Sequence, residues 1–248
     1  MKEYTLLCPI RPAVCNPQGL MEGSGERMKR WQPVSVLSDI RRGEVAGVRI
    51  GGREVVLWRE DAPTPTLHAW EDRCPHRGMR LSFGFVRDDA LGCLYHGWQF
   101  GGGARCRLIP AHPQVRVPAS IHVHAYGVRE HAGLAWVSMD GAEDFPAGGT
   151  GPDNVLPVRT LHVKASVGPL RHAAGIAPDA GIAWHGPVGL AVHEPVAGQA
   201  MLHVVRVADA DGPSYPALSR WAEQLRDAVE SGAGIAPVMN GLIAGEMA

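Results

Sequence analysis

The sequence predicts an α+β fold that is mostly antiparallel β-structure, with one well-formed helix near its end. Three observations carry this expectation. Glycine (31) and proline (20) are abundant while phenylalanine and tyrosine number four each, a composition of short strands and many turns rather than of a helical bundle. Two β-rich runs, Val45–Ile50 and Arg53–Arg59, are separated only by Gly51-Gly52, and two glycines in that place can both take the positive φ of a tight hairpin turn. Finally, Leu218, Trp221, Ala222, Leu225 and Val229 recur at helical spacing behind Pro216, which suits a first helical turn.

Taken in order, residues 1–30 show no sustained period and are expected to form an irregular extension; Cys8 and Cys15 within it are read as two unpaired thiols rather than a second metal site. A compact antiparallel domain is expected over 31–143. Its strands are Pro33–Leu37, the hairpin pair, Thr66–Glu71, Ile121–Val128 and Leu134–Ser138, the last two joined at Gly133. Residues 144–157, which contain FPAGGTGPDNVLP, have the composition of a linker. The remaining segment, 158–248, is expected to hold strands at Val158–Ala165, Val188–His193 and Gln199–Ala208, followed by the helix from Pro216 to Ser231.

With 45% hydrophobic and 20% charged residues the chain has the balance of an ordinary globular protein, and a net charge of -1 gives no footprint for nucleic acid or a membrane surface. No apolar run approaches a membrane span, and the few residues before Cys8 leave no room for a signal core, so a cytoplasmic location is expected. Five cysteines, two of them in metal-ligand spacing, fit a reducing compartment better than a disulfide framework.

Those two cysteines define the centre of the sequence. Cys74 and His76 form a Cys-x-His pair; after sixteen intervening residues Cys93 and His96 form Cys-x-x-His. Two cysteines and two histidines also suit structural zinc, but three features argue against it. Each half mixes one cysteine with one histidine. Glycine (Gly78, Gly97) follows both halves, permitting tight loops that aim backbone N–H groups at bridging sulfides. The flanking segments read as strand and hairpin, with no finger helix.

The runs DRCPHRG (72–78) and LGCLYHGWQF (91–100) resemble the N-terminal Rieske domain of ring-hydroxylating oxygenases, in the branch of vanillate O-demethylase and the phthalate-type enzymes. The likeness extends to RWQPV (30–34), RRGEVAGVRIGGREVVLWRE (41–60) and GGGARCRLIPA (101–111). It implies a [2Fe-2S] cluster with Cys74 and Cys93 on one iron and His76 and His96 on the other. The respiratory type carries an additional cysteine pair joining the loops and a hydroxyl donor to a sulfide. Met79, Tyr95 and Trp98 stand at those places here, so a potential at the low end of the Rieske range, about −150 mV, is expected. A flavin- or ferredoxin-type reductase is the implied electron donor. Cys106 reads as a small buried hydrophobe, His122 and His124 as solvated or hydrogen-bonded residues of one strand face, and Arg77 and Arg80 as candidates for docking a reductase.

In the family a second domain binds a mononuclear iron through Asp-x-x-His-x-x-x-x-His on a helix, plus a carboxylate. The matching stretch here is 167–189, VGPLRHAAGIAPDAGIAWHGPVG. With His185 as the second histidine, Ala180 and Ala177 occupy the other two motif positions; Asp179 and His172 fall at the wrong spacing, and the glycines and Pro178 disfavour a helix. A carboxylate from the terminal helix (Glu223, Asp227, Glu230) would lie opposite its apolar stripe, on a solvated face. About 90 residues follow the linker, a shortened catalytic-domain remnant. Two functions follow. The preferred one is a Rieske electron-transfer protein without its own mononuclear Fe(II), acting as a carrier or as partner to an intact oxygenase subunit or to copies of itself. The alternative is a short oxygenase or demethylase whose iron is held by His185, His193 and Asp227.

Overall fold

A computed structural model describes residues 31–141, 145, 151–152, 154–178 and 180–233. The first strands are β1 (Trp31–Val36), β2 (Val45–Ile50), β3 (Arg53–Arg59) and β4 (Leu67–Glu71). Four three-residue strands follow: β5 (Phe85–Arg87), β6 (Ala90–Gly92), β7 (Gln99–Gly101) and β8 (Cys106–Leu108). Strands β9 (Ala125–His131) and β10 (Leu134–Ser138) close this half of the molecule. The large sheet runs β1-β10-β9-β4-β3-β2 and the small one β5-β6-β7-β8, with every pairing antiparallel.

Strand β3 explains how the two sheets are held together. Successive side chains of a strand point to opposite faces, and Val55, Val56, Leu57 and Trp58 are all fully buried. Val55 and Leu57 pack into one core with Val34, Ile50 and Val137. Val56 and Trp58 pack the other way, against Trp70, Leu91, Phe100, Cys74 and Cys93. The strand is covered on both faces, on one by the small sheet and on the other by side chains of β1, β2 and β10 of its own sheet. Gly51 and Gly52, at φ +55° and +84°, form the hairpin turn that the sequence implies.

The second half comprises β11 (Val155–Val163), α1 (Val167–Ala173), β12 (Ile182–His185), β13 (Val188–His193), β14 (Ala200–Val207) and α2 (Tyr215–Ser231). Its sheet runs β11-β14-β13-β12. One face carries Leu190, Val192, Leu202 and Val204 against Leu170 of α1 and Leu218, Trp221 and Leu225 of α2. The other presents Ala191 and Val205 to Trp31, Val36, Leu134 and Trp136 of β1 and β10. Helix α2 starts at Ser214, whose hydroxyl accepts from Ala217 N–H, and ends at Gly232 with φ +68°. No helix among the described residues is long and apolar enough to cross a membrane.

The strand expected over Ile121–Val128 begins only at Ala125. The backbone before it is engaged elsewhere: Cys106 N–H bonds Ile121 O, Val123 N–H bonds Ala104 O, and Arg105 bridges to His122. The linker expected to run to Pro157 ends sooner, since β11 starts at Val155; Pro157 is accommodated by a register shift on this edge strand. The stretch judged unfit for a helix contains one, α1, with Gly168 and Pro169 in its first turn, where the unpaired N–H groups make proline harmless. The extension 1–30, with Cys8 and Cys15, and Asp179 lie outside the described residues.

Candidate functional site

Two loops meet where the sheets pack together, one after β4 of the large sheet and one after β6 of the small one. They are closed by the same pair of bonds. Cys74 N–H donates to Met79 O (2.8 Å) and Gly78 N–H to Cys74 O (2.8 Å); Cys93 N–H donates to Trp98 O (2.9 Å) and Gly97 N–H to Cys93 O (2.9 Å). Glycine thus stands four residues after each cysteine, at φ +72° and +69°, left-handed values that other residues adopt only with strain. The difference between Cys-x-His and Cys-x-x-His shifts only where the histidine leaves an otherwise repeated loop. Asp72 anchors the first loop by accepting from Ser82 N–H (2.7 Å) and the Ser82 hydroxyl (2.6 Å).

The loops sort their donors by depth. Cys74 and Cys93 are buried, at 2% and 1% exposure, while His76 is half-buried and His96 exposed. The two imidazoles face each other edge-on with centroids 4.7 Å apart. Trp98 stacks on His76, and the exposed Tyr95 lies over His96. Burial pushes the Cys74 thiol up to about 11, against the pull of the His76 and Arg77 N–H groups, and the neighbouring Cys93 adds to the rise. Two buried sulfurs this close cannot both be thiolates without a compensating cation. Burial, then His96 and Arg77, hold His76 below the ordinary imidazole value, so it is neutral and able to ligate. Two paired thiols beneath two imidazoles could hold a mixed-ligand iron–sulfur centre.

The neighbours have other duties. Cys106 is buried in the same core, its thiol donating to Leu108 O (3.7 Å). Arg80 is engaged with Glu54, which also accepts from Arg49, while Arg77 is exposed. His122 and His124 do not share a strand face: His122 Nδ1 donates to Ser120 O (3.0 Å), and His124 lies edge-on to Tyr126.

His185, His193 and Asp227 are not brought together. His185 lies on a strand, with its Nε2 donating to Ala174 O (2.9 Å). His193 is buried at the far end of β13, and its Nε2 donates to Arg49 O (3.1 Å). Its Nδ1 therefore accepts from His203 Nε2 (2.9 Å), which leaves His203 Nδ1 to accept the Thr160 hydroxyl (2.9 Å). Asp227 pairs with its neighbour Arg226 on α2. The helix face expected to be solvated is partly occupied: Glu223 accepts from Arg159 (2.7 Å) and Glu230 from Lys164 N–H (2.8 Å). Among the described residues no three His, Cys, Asp or Glu side chains are grouped for a single metal ion. Neither the role of His203 nor the crossing of Trp98 onto His76 has a signal in the sequence, because both depend on pairs distant from any local motif.

Residues 30–121 match the family described as "Rieske [2Fe-2S] domain". Over these residues the chain carries a Rieske domain, and there it is similar to oxidoreductase and oxygenase subunits. It is 34% identical over 113 residues to oxidoreductase NdmD of Pseudomonas putida, covering 45% of this chain and 19% of that protein. It is 36% identical over 118 residues to the 3-chlorobenzoate-3,4-dioxygenase oxygenase subunit of Comamonas testosteroni, covering 47% and 27%. The chain thus spans under a third of these relatives' lengths. The fold of dicamba monooxygenase superimposes with a TM-score of 0.63 at 18% identity, over 82% of this chain and 86% of that one. That share is larger than the Rieske half alone, so the likeness of fold extends into the second half.

Proposed function

We propose that this chain is a Rieske electron-transfer protein whose cluster is held by Cys74 and Cys93 on one iron and His76 and His96 on the other. The observation that carries this reading is the repeated loop, which buries two sulfurs side by side and sets two imidazoles above them. A bound [2Fe-2S] cluster takes up and releases one electron at a time. The cysteines keep the sulfur side dry within the core, and the exposed His96 offers the edge at which a partner approaches. The donor is a flavin- or ferredoxin-type reductase, and the acceptor an intact oxygenase subunit or another copy of this chain. We read 31–143 as the Rieske domain and 158–248 as a catalytic-domain remnant without its own mononuclear iron. The placement of His185, His193 and Asp227, each committed to other partners, supports that reading. A cytoplasmic location fits the same role.

A second reading, a short oxygenase or demethylase, draws on the likeness to dicamba monooxygenase across the second half. Iron and sulfide analysis of the purified protein separates the two. Two irons and two acid-labile sulfides per chain, with cluster reduction but no product from aromatic acids or methyl ethers, are expected of the carrier. A third iron that is lost in His185→Ala, with O₂ uptake coupled to product, would establish the oxygenase. Zinc without sulfide would defeat both.

A further inference from the structure

Trp98 joins the two loops in two ways. Its backbone carbonyl closes the second loop on Cys93 N–H at 2.9 Å. Its side chain crosses to the first loop and lies flat on His76, with ring centroids 4.3 Å apart and planes 5° apart. The indole is itself half-buried against the core that holds Trp58, Leu81, Cys74 and Cys93. Met79 and Tyr95 form no disulfide between the loops, so this stack is a non-covalent clasp in the region where one would serve. The two histidines are consequently unlike. One face of His76 is covered by a ring fixed in the core, whereas His96 is exposed and its aromatic neighbour, Tyr95, is itself 61% exposed.

Resting on the cluster assignment above, we propose that Trp98 is a positioning residue that fixes the His76 ring and holds the cluster's potential low. Two physical effects act in the same direction. The face of an indole is the negative end of its quadrupole, so it favours the more positive, oxidised state of whatever the imidazole ligates. The indole also excludes water from that side, and a dry, low-dielectric surround disfavours the reduced state, which carries one more negative charge. Removing the ring therefore raises the potential.

The test is redox titration of the whole chain carrying Trp98→Leu, Trp98→Met and Trp98→Phe, followed by optical spectra, with pulsed EPR of the histidine nitrogens. The expected result is an upward shift of midpoint in the Leu and Met variants, a near-native midpoint in the Phe variant, and a changed nitrogen coupling for one histidine only. A Leu or Met variant that keeps its cluster at the native midpoint overturns the proposal. If Leu and Met lose the cluster while Phe retains it, the clasp is upheld through its ring; if all three lose it alike, the flat stack is not what matters and the proposal fails. Wild-type protein without iron and sulfide would instead refute the cluster assignment itself, a result distinguishable from every one of these.

Discussion

At Gly97 a side chain is disfavoured by both backbone and space. Its φ is +69°, and a Cβ built there would stand 3.1 Å from Pro110 Cγ, in a rigid ring. At Gly78, φ +72°, the near neighbour is instead the flexible end of Arg73, at 3.2 Å from Nε. Replacing either by alanine costs about 1 kcal/mol in backbone strain alone. Gly97→Ala is expected to lose more cluster than Gly78→Ala, measured as visible absorbance per chain and sulfide content. The cysteines give a sharper contrast. Cys74→Ser or Cys93→Ser is expected to remove most of the cluster, since each is the one thiol its loop supplies. Cys106→Ser shares the burial and the core of these two but is expected to stay brown, and bleaching in that variant would show that a third sulfur belongs to the site. The four proposed donors stand out in the sequence because each pair sits within a few residues and its geometry is set by a local turn. The Trp98 stack does not, because it joins loops whose approach depends on the packing of the two sheets.

Among the elements, those with a long period or a decisive turn were legible and those defined by tertiary pairing were not. Hairpin β2–β3 and helix α2 follow from two glycines and from a regular apolar stripe. Strands β5 to β8 have three residues each, too short for any alternation to be recognised, and exist because each pairs with the next. The joint between β13, β14 and the hairpin also rests on a chain no periodicity announces: Thr160, His203, His193 and Arg49 O in succession. Gly51 and Gly52 N–H bond Glu194 O and Pro195 O beside it. Burial holds His193 at about 4 and His203 well below its ordinary value, with the carbonyls of Arg49 and Pro33 the groups that oppose the shift. Both residues are thus neutral in the fold and take up protons only on unfolding. The unfolded chain binds more protons below pH 6.5, so stability is lost as pH falls from there toward 4. For His193 alone the loss reaches about 2 kcal/mol at pH 5. Chemical denaturation at pH 7.5 and pH 5 is expected to show this drop, and His193→Gln, which can still donate to Arg49 O and accept from His203, is expected to make the slope shallower. An unchanged slope would mean that the pair does not govern acid stability.

At the scale of the whole molecule, the question is whether the two halves are independent. β10 answers it by alternation: Ala135 and Val137 pack into the core of the first half, while Leu134 and Trp136 turn to the second and meet Ala191 and Val205. Trp136 is 2% exposed, its indole N–H donates to His131 O (3.0 Å), and a Cβ on Gly181 would come within 2.6 Å of its ring. One strand thus serves as a wall for both cores, so neither half can lose its packing without uncovering apolar surface on the other. Trp136→Ala is expected to cost about 3–5 kcal/mol. Because the Cys74 loop is rooted in the large sheet and the Cys93 loop in the small sheet that shares a core with it, cluster bleaching and loss of far-ultraviolet circular dichroism are expected to coincide in the native chain under anaerobic heating, and to move down together in the variant. Two separated transitions, with the cluster surviving after the β11–β14 sheet has melted, would show that the Rieske half stands alone and that the second half is an appended rather than an integral part of the fold.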